Sequence, residues 1–117
     1  MVARSFIKPQ TNTKKKLIIQ PQFDIQMADI LEFGIEQFGI KVAYNFYKNV
    51  MNMIIALPVM PHIHPKNRFI ESSENKVFRN IIVEKYAVLY SVTVRTISII
   101  TIYHTAINPK IIKNFAK

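Results

Sequence analysis

Arg79 and His104 stand near the two ends of one apolar stretch, FRNIIVEKYAVLYSVTVRTISIITIYHT, which covers residues 78–105. The planar guanidinium of an arginine can bind two phosphate oxygens at once, and a histidine can exchange a proton near neutral pH. Tyr103, next to His104, carries an aromatic ring that can stack on an unpaired base. Metal-free cleavage of RNA needs groups of these kinds, provided that the fold brings them together.

Each of these three residues also has an ordinary structural interpretation. Arg79 would close a sheet edge by pairing with a helix carboxylate. His104 would be held in place by hydrogen bonds, and Tyr103 would be a half-buried packing residue at the end of a strand. The sequence leaves both interpretations open for all three residues.

The other charged candidates lie in connections between elements. Lys66 and Arg68 follow a proline-rich segment and Lys85 lies in a short link between strands, so each is a candidate for phosphate contact or is simply solvated. His62 and His64 are two residues apart, without the spacing or the carboxylate support of common zinc sites. We therefore expect no metal. A chain with only two glycines has no phosphate-binding glycine loop, and we expect no cofactor.

Charge is distributed unevenly along the 117 residues, whose net charge is +9. The first sixteen residues are basic without any acidic residue, residues 17–57 are slightly acidic, and residues 58–117 are basic again. This pattern favours a polyanionic or acidic partner. The absence of cysteine excludes disulfides and thiol catalysis. No apolar run is long enough for a bilayer span or a signal peptide, so we expect a soluble, cytoplasmic protein without membrane partners.

Hydrophobic periodicity predicts one domain at residues 17–109, between a basic flexible extension at 1–16 and a basic tail at 110–117. The fold class is α+β, with an N-terminal strand and a helical hairpin packed on a small antiparallel sheet in the order β-α-α-β-β-β. The predicted elements are a strand at 17–20, helices at 24–38 and 41–57, an exposed loop at 58–76, and strands at 77–83, 86–92 and 97–103.

Apolar side chains at helical spacing predict which face of each helix is buried. Tyr44, Met51 and Ile55 form an additional apolar strip on the second helix. This strip is either covered by the protein's own fold or forms the wall of a groove for a partner segment. The predicted inner positions are Ile25, Ala28, Leu31, Ile35 and Phe38 in the first helix, and Ala43, Phe46, Tyr47, Val50, Ile54 and Leu57 in the second.

Two stretches of the C-terminal half, RNIIVEKYAVLYSV at 79–92 and ISIITIYHTAINP at 97–109, resemble the RelE/ParE superfamily of type II toxins. The segments ADILEFGIEQFG and ALPVMP are similar to the first helix and to the proline-rich exit of the second helix in that family. Together they span about residues 17–109. The resemblance places Arg79 at a recurrent arginine of the family and His104 where its last strand ends.

This resemblance implies a plasmid-stabilisation or similar toxin that arrests growth until a cognate antitoxin binds it. ParE-like members target DNA gyrase, whereas RelE-like members are metal-independent endoribonucleases that cut mRNA on the ribosome. Residues 86–92 and 97–103 contain no charged side chain, which favours the ParE-like action. The alternatives are mRNA cleavage and a non-toxic binding module that keeps the fold. The antitoxin is expected on the strip of Tyr44, Met51 and Ile55.

Overall fold

The computed structural model describes residues 4–6 and 15–116 of the chain. Its elements follow the predicted order and confirm the α+β class, and the last three strands lie within one residue of their predicted bounds. In the described part of the chain, no helix is long and apolar enough to cross a bilayer. The elements are β1 (Arg4–Phe6), β2 (Lys16–Ile19), α1 (Pro21–Phe38), α2 (Ile40–Ala56), β3 (Val77–Val83), β4 (Tyr86–Val92), β5 (Thr96–His104), α3 (Pro109–Ile112) and a 3₁₀ turn (Lys113–Ala116).

The strands form one sheet in the order β1-β2-β5-β4-β3. Three neighbouring pairs are antiparallel, and two of them, β3–β4 and β4–β5, were predicted. β2, however, runs parallel to β5, with Leu17 opposite Ile97. The prediction of a purely antiparallel sheet is therefore wrong at this pair. The chain reverses direction between β3 and β4 and again between β4 and β5, so β3 and β5 run in the same direction. β2 runs in that direction too.

Both ends of the described chain take part in the fold. Arg4–Phe6, inside the predicted flexible extension, form the edge strand β1 against β2; residues 1–3 and 7–14 lie outside the described residues. At the other end, the predicted tail contains most of α3 and the 3₁₀ turn. The Asn108 side chain accepts the Lys110 backbone N–H, which caps α3, and Ile112 is buried.

Helix α1 begins at Pro21, three residues before the predicted start at Asp24, because proline is well suited to a first helical position. Its buried residues are Phe23 and Met27. The predicted inner face is therefore wrong for most of its positions. Ile25, Ile35 and Phe38 are 43%, 45% and 65% exposed and Ala28 is exposed, whereas Leu31 is partly buried against the core. Apolar residues occur on several sides of α1, so its periodicity did not determine which side is buried.

Helix α2 buries the predicted stripe. Ala43, Val50, Ile54 and Leu57 are buried, and Phe46 and Tyr47 pack, partly exposed, against the same core. Only Gly39 separates α1 from α2, and its φ of 89° is one that glycine adopts without strain. The two helices therefore form a tight hairpin.

The sheet is covered on both faces. We call the face against α1 and α2 the helical face and the opposite one the outer face. The outer face has its own small core, in which Phe78, Leu89 and Tyr103 pack with Ile112 of α3. Because β4 and β5 are central strands buried on both faces, packing alone explains why they lack charge. The sheet residues of the helical-face core are Leu17, Ile19, Ile81, Val83, Val88, Tyr90, Val92, Ile97, Ile99 and Ile102.

Candidate functional site

Three of the predicted site residues meet at a cleft on the outer face, which we call the Tyr103 cleft. Its volume is about 350 Å³. Lys66 and Arg68 line it from the loop, and Tyr103 and Thr105 line it from β5 and the segment after it. The cleft thus combines two cationic side chains with a phenol.

Asn67 links the loop that lines this cleft to the strands of the sheet. Its side chain is 4% exposed, and its Nδ2 donates to Asn80 Oδ1 at 2.9 Å and to the Tyr103 hydroxyl at 3.3 Å. Its Oδ1 accepts the backbone N–H groups of Phe69 and Ile70, at 2.8 and 3.1 Å. The loop that was predicted to be simply exposed is therefore fixed to the sheet. Asn67 is buried, and both the nitrogen and the oxygen of its side-chain amide form hydrogen bonds, as is usual for a buried polar group.

Backbone pairing extends this attachment along the edge of the sheet. The Asn67 N–H donates to the Phe78 carbonyl at 2.8 Å, and the Asn80 N–H donates to the Pro65 carbonyl at 3.0 Å. The loop thus covers part of β3, which is otherwise an edge strand with open hydrogen-bonding groups.

Tyr103 is packed rather than free to stack on a base. The residue is 6% exposed, and its ring lies against Phe115 with ring centroids 6.1 Å apart. The hydroxyl accepts from the Asn67 and Asn80 amides, each at 3.3 Å. Burial raises the pKa of Tyr103, and these two hydrogen bonds oppose that shift. The phenol is therefore a positioned, neutral hydroxyl at the floor of the cleft.

Arg79 lies on the helical face, on the other side of the sheet from Tyr103. Its Nη1 donates to the His64 carbonyl at 2.7 Å, and its buried Nε has no hydrogen-bond partner among the described residues. The structural interpretation of Arg79 fits this placement, with a loop carbonyl in place of the expected helix carboxylate. The guanidinium fastens the loop at residues 61–64 to the sheet, where the Tyr90 hydroxyl also donates to Pro61 at 3.0 Å.

Two side chains close to Arg79, those of Tyr90 and His64, have pKa values that differ from their ordinary ones. Burial raises the pKa of Tyr90 to about 12, with the Arg79 charge acting in the opposite direction. Burial lowers the pKa of His64, and the positive charge of Arg79 lowers it further. Both shifts favour the uncharged forms of these side chains around one partly buried cation.

His104 is exposed at the end of β5, where its ring meets Tyr86 edge to face at a centroid distance of 5.3 Å. Its Nδ1 accepts the Ala106 backbone N–H at 3.0 Å. A ring nitrogen that accepts this bond carries no proton, so the neutral imidazole carries its proton on Nε2. His104 therefore presents a hydrogen-bond donor to its surroundings and cannot act as a base through Nδ1 while this bond is intact.

The three candidate catalytic residues are not brought together. Tyr103 and His104 are consecutive in a strand and point to opposite faces. Arg79 lies opposite Tyr90 in β4 and His104 lies opposite Tyr86, a separation of about 13 Å along β4 at the rise of an antiparallel strand. Of the predicted phosphate-contacting residues, Lys85 is exposed in the β3–β4 turn, and its carbonyl accepts the Thr105 N–H at 2.8 Å.

The predicted antitoxin strip is largely open to solvent. Tyr44 and Ile55 are 60% and 41% exposed, whereas Met51 is partly buried against the core. Tyr44 lines an apolar groove of about 200 Å³ between α1 and α2, together with Ile35 and Ile40. We call this the outer groove. It belongs to the helical hairpin and is not on the outer face of the sheet.

A second apolar groove lies between the helical hairpin and the β3–β4 turn, and we call it the inner groove. Its volume is about 100 Å³, and Phe33, Phe38 and Val42 line it beside Tyr86. Phe33, Phe38 and Val42 are 53%, 65% and 53% exposed. Phe38 was predicted to be buried, and Phe33 and Val42 were given no role, although aromatic residues on several sides of α1 were a visible signal.

No protein-family model matches this chain. No curated protein matches its sequence either. The resemblance to the RelE/ParE superfamily therefore depends on the order of the elements and on the sequence patterns quoted above. Among the residues that the structure describes, no group of three or more His, Asp or Glu side chains could hold a metal ion.

Proposed function

We propose that this protein is the toxin of a type II toxin–antitoxin pair and that its antitoxin binds the α1–α2 hairpin. The observation that carries the proposal is the apolar surface of the hairpin, where Phe38, Ile40 and Tyr44 are 65%, 72% and 60% exposed. Large apolar patches on small proteins commonly mark protein interaction sites. The α+β order of the elements supports the same family. We place its action in the cytoplasm.

Charge around the strip indicates the kind of segment that the antitoxin presents. Lys41 and Lys48 lie three residues before and four residues after Tyr44, which puts them beside it on the surface of α2. An amphipathic helix would insert apolar side chains into the outer groove and place acidic side chains opposite the two lysines. The net charge of +9 also favours an acidic partner.

For the target, we propose DNA gyrase, as in ParE-like toxins. Arg79 and Tyr103 are on opposite faces of the sheet, and the Nδ1 of His104 is occupied by the Ala106 N–H. Metal-free phosphate cleavage needs several polar groups converging on one phosphate. Their separation supports a toxin that acts by binding a protein. The uncharged central strands do not bear on this choice, because their burial explains them.

The second candidate is ribosome-dependent mRNA cleavage, and the Tyr103 cleft is the observation that favours it. Lys66 and Arg68 line the cleft with the Tyr103 hydroxyl. In this version the two cations bind phosphate and the phenol donates a hydrogen bond to it. Arg79 and His104 would have no part in the reaction.

Induction of the protein alone in bacteria tests the toxin proposal. We expect growth arrest with filamentous cells and DNA breaks, and purified protein should inhibit supercoiling by gyrase. Unimpaired growth at confirmed expression would contradict the proposal and leave a non-toxic binding module. If mRNA is cut at codon-phased positions while supercoiling by gyrase is unimpaired, the target is mRNA and not gyrase.

Variants separate the two mechanisms. If gyrase is the target, His104→Ala and Tyr103→Phe should both stay toxic. If mRNA is the target, Lys66→Gln with Arg68→Gln should abolish toxicity, and Tyr103→Phe should lower the cleavage rate by about 100-fold, as loss of one transition-state contact commonly does. Lys41→Gln with Lys48→Gln, which removes the same two positive charges from α2, is the matched control for the double variant.

A further inference from the structure

A second polar cleft lies on the outer face near the β4–β5 turn, and we call it the hydroxyl cleft. Its volume is about 420 Å³, which is within the range of small-molecule sites. Four hydroxyl side chains of β4, β5 and the turn between them line it, and no carboxylate is among its lining residues. The hydroxyl residues are Ser91, Thr93, Thr96 and Ser98.

Ser91 is the most deeply buried of these four hydroxyl residues. It is 2% exposed and lines the cleft from β4. It lies opposite Phe78 of the outer-face core on one side and opposite Ser98 on the other, so its side chain is on the outer face with theirs. Its hydroxyl can donate a hydrogen bond to a group that enters the cleft.

Ser98 is oriented to donate as well. The Gln20 Nε2 donates to the Ser98 Oγ at 2.8 Å, which occupies an acceptor position of that hydroxyl. The proton of Ser98 is then available for an acceptor in the cleft. Ser91 and Ser98 therefore form a pair of neighbouring donors.

Positive charge and an apolar wall complete the lining. Lys76 lines the cleft from the side of β3, and Lys16 lies beside Thr96 in the parallel β2–β5 pair. The first turn of α1 adds the positive end of its helix dipole at Pro21. Ile100 and Phe115 line the cleft as well, and an aromatic ring there can contact the face of a base.

We propose that the hydroxyl cleft binds the phosphate groups of a nucleotide, either free or within single-stranded RNA. Ser91 and Ser98 donate to phosphate oxygens, Lys76 and Lys16 neutralise the charge, and Phe115 contacts the base. This site is distinct from the Tyr103 cleft and from the hairpin grooves, and it does not depend on the proposed toxin function.

Calorimetric titration of the full chain with ADP, inorganic pyrophosphate and a uridine tetranucleotide tests the site. We expect saturable binding of ADP or of the tetranucleotide, and the ligand that binds identifies the source of the phosphate. Ser91→Ala and Lys76→Gln should each weaken it by about fivefold or more, as loss of one hydrogen bond or charge contact does. Lys85→Gln, the same change in the β3–β4 turn, should bind as the parent protein does.

The proposal is overturned if none of the three probes binds saturably, if Ser91→Ala binds as tightly as the parent protein, or if Lys85→Gln loses as much affinity as Lys76→Gln. Amide chemical shifts give a second measurement that needs no variant. The bound ligand should move the signals of residues 91–98 and 20–22. Shifts confined to other parts of the chain would also overturn the site.

Discussion

Asn67 is the residue whose loss should affect the outer face most directly. Asn67→Ala removes two donated and two accepted hydrogen bonds and leaves the Phe69 and Ile70 N–H groups without their acceptor. We expect the free energy of unfolding to fall by about 2–3 kcal/mol, as for other losses of a buried polar network. Denaturation by urea measures this change.

Asn75→Ala is the matched control, because Asn75 is exposed in the same connection between α2 and β3. Its effect should stay within about 0.5 kcal/mol, as is usual for surface positions. Equal losses in the two variants would mean that the Asn67 hydrogen bonds add nothing specific to stability.

His64 should make the loop over Arg79 sensitive to acid. Burial and the Arg79 charge lower the pKa of His64 from its ordinary 6.5, so the unfolded chain binds a proton more readily than the folded protein does. The uncharged His64 therefore contributes to the free energy of unfolding above pH 6.5, and this contribution is lost as the pH falls below that value. His64→Gln should therefore flatten the decline in urea midpoint on the acid side of that value.

His62→Gln is the control for this pH dependence, because His62 is exposed in the same loop. The slope of that variant should match the parent protein. A decline that persists unchanged in His64→Gln would assign the acid sensitivity to the carboxylates instead.

At the scale of the elements, replacing each of the two glycines of the hairpin by alanine should change the stability in opposite directions. Gly39→Ala should cost about 1–3 kcal/mol of unfolding free energy, because a φ of 89° with ψ of 164° strains any side chain. Gly34→Ala should stabilise α1 by about 0.5–1 kcal/mol, since its new Cβ would meet the Ala43 Cβ at an ordinary 3.6 Å. Thermal unfolding compares them, and effects of the same sign would contradict this explanation of the hairpin.

The elements themselves could be predicted because their local signals agree. The apolar strand formers of 77–83, 86–92 and 97–103 are interrupted at Glu84 and near Arg95, and Gly39 separates the two helical periods. The buried face of α1 could not be predicted, because Phe33 and Ile35 make its other sides apolar as well. The parallel β2–β5 pair depends on the number of chain reversals, which no single segment encodes.

The candidate sites depend on residues that are distant in the sequence. Asn67 and Tyr103 are 36 positions apart, and nothing in either local pattern indicates that they bond. The hydroxyl cleft did leave a signal. Ser91 and Thr93, like Thr96 and Ser98, are two positions apart and flank the turn between two predicted strands. That alternation was visible without the structure.

The exposed hairpin gives the prediction that belongs to the whole molecule and rests on the proposed function. In cells that grow because the antitoxin is co-expressed, Tyr44→Glu in the toxin should restore growth arrest, since a carboxylate enters the outer groove and repels an acidic helix. Growth curves measure the effect. Tyr44 is 60% exposed, so the variant should fold normally.

Asn45→Glu adds the same charge one position further along α2, on an exposed side chain that lines neither groove. The antitoxin should still rescue growth of cells with this variant. Rescue of both variants alike would remove the outer groove from the antitoxin interface.

The position of β5 has a consequence for how the chain reaches this fold. β5 is an interior strand, yet Gln20 and Ser98, which join its β2 side, are 78 residues apart. The β3–β5 meander can form from local hairpins, whereas docking of β2 must close a long loop. Until β2 docks, one edge of β5 is an open template for any strand of matching pattern. At high protein concentration the β2 of a second chain can fill it, so refolding conditions should decide between monomers and strand-exchanged dimers.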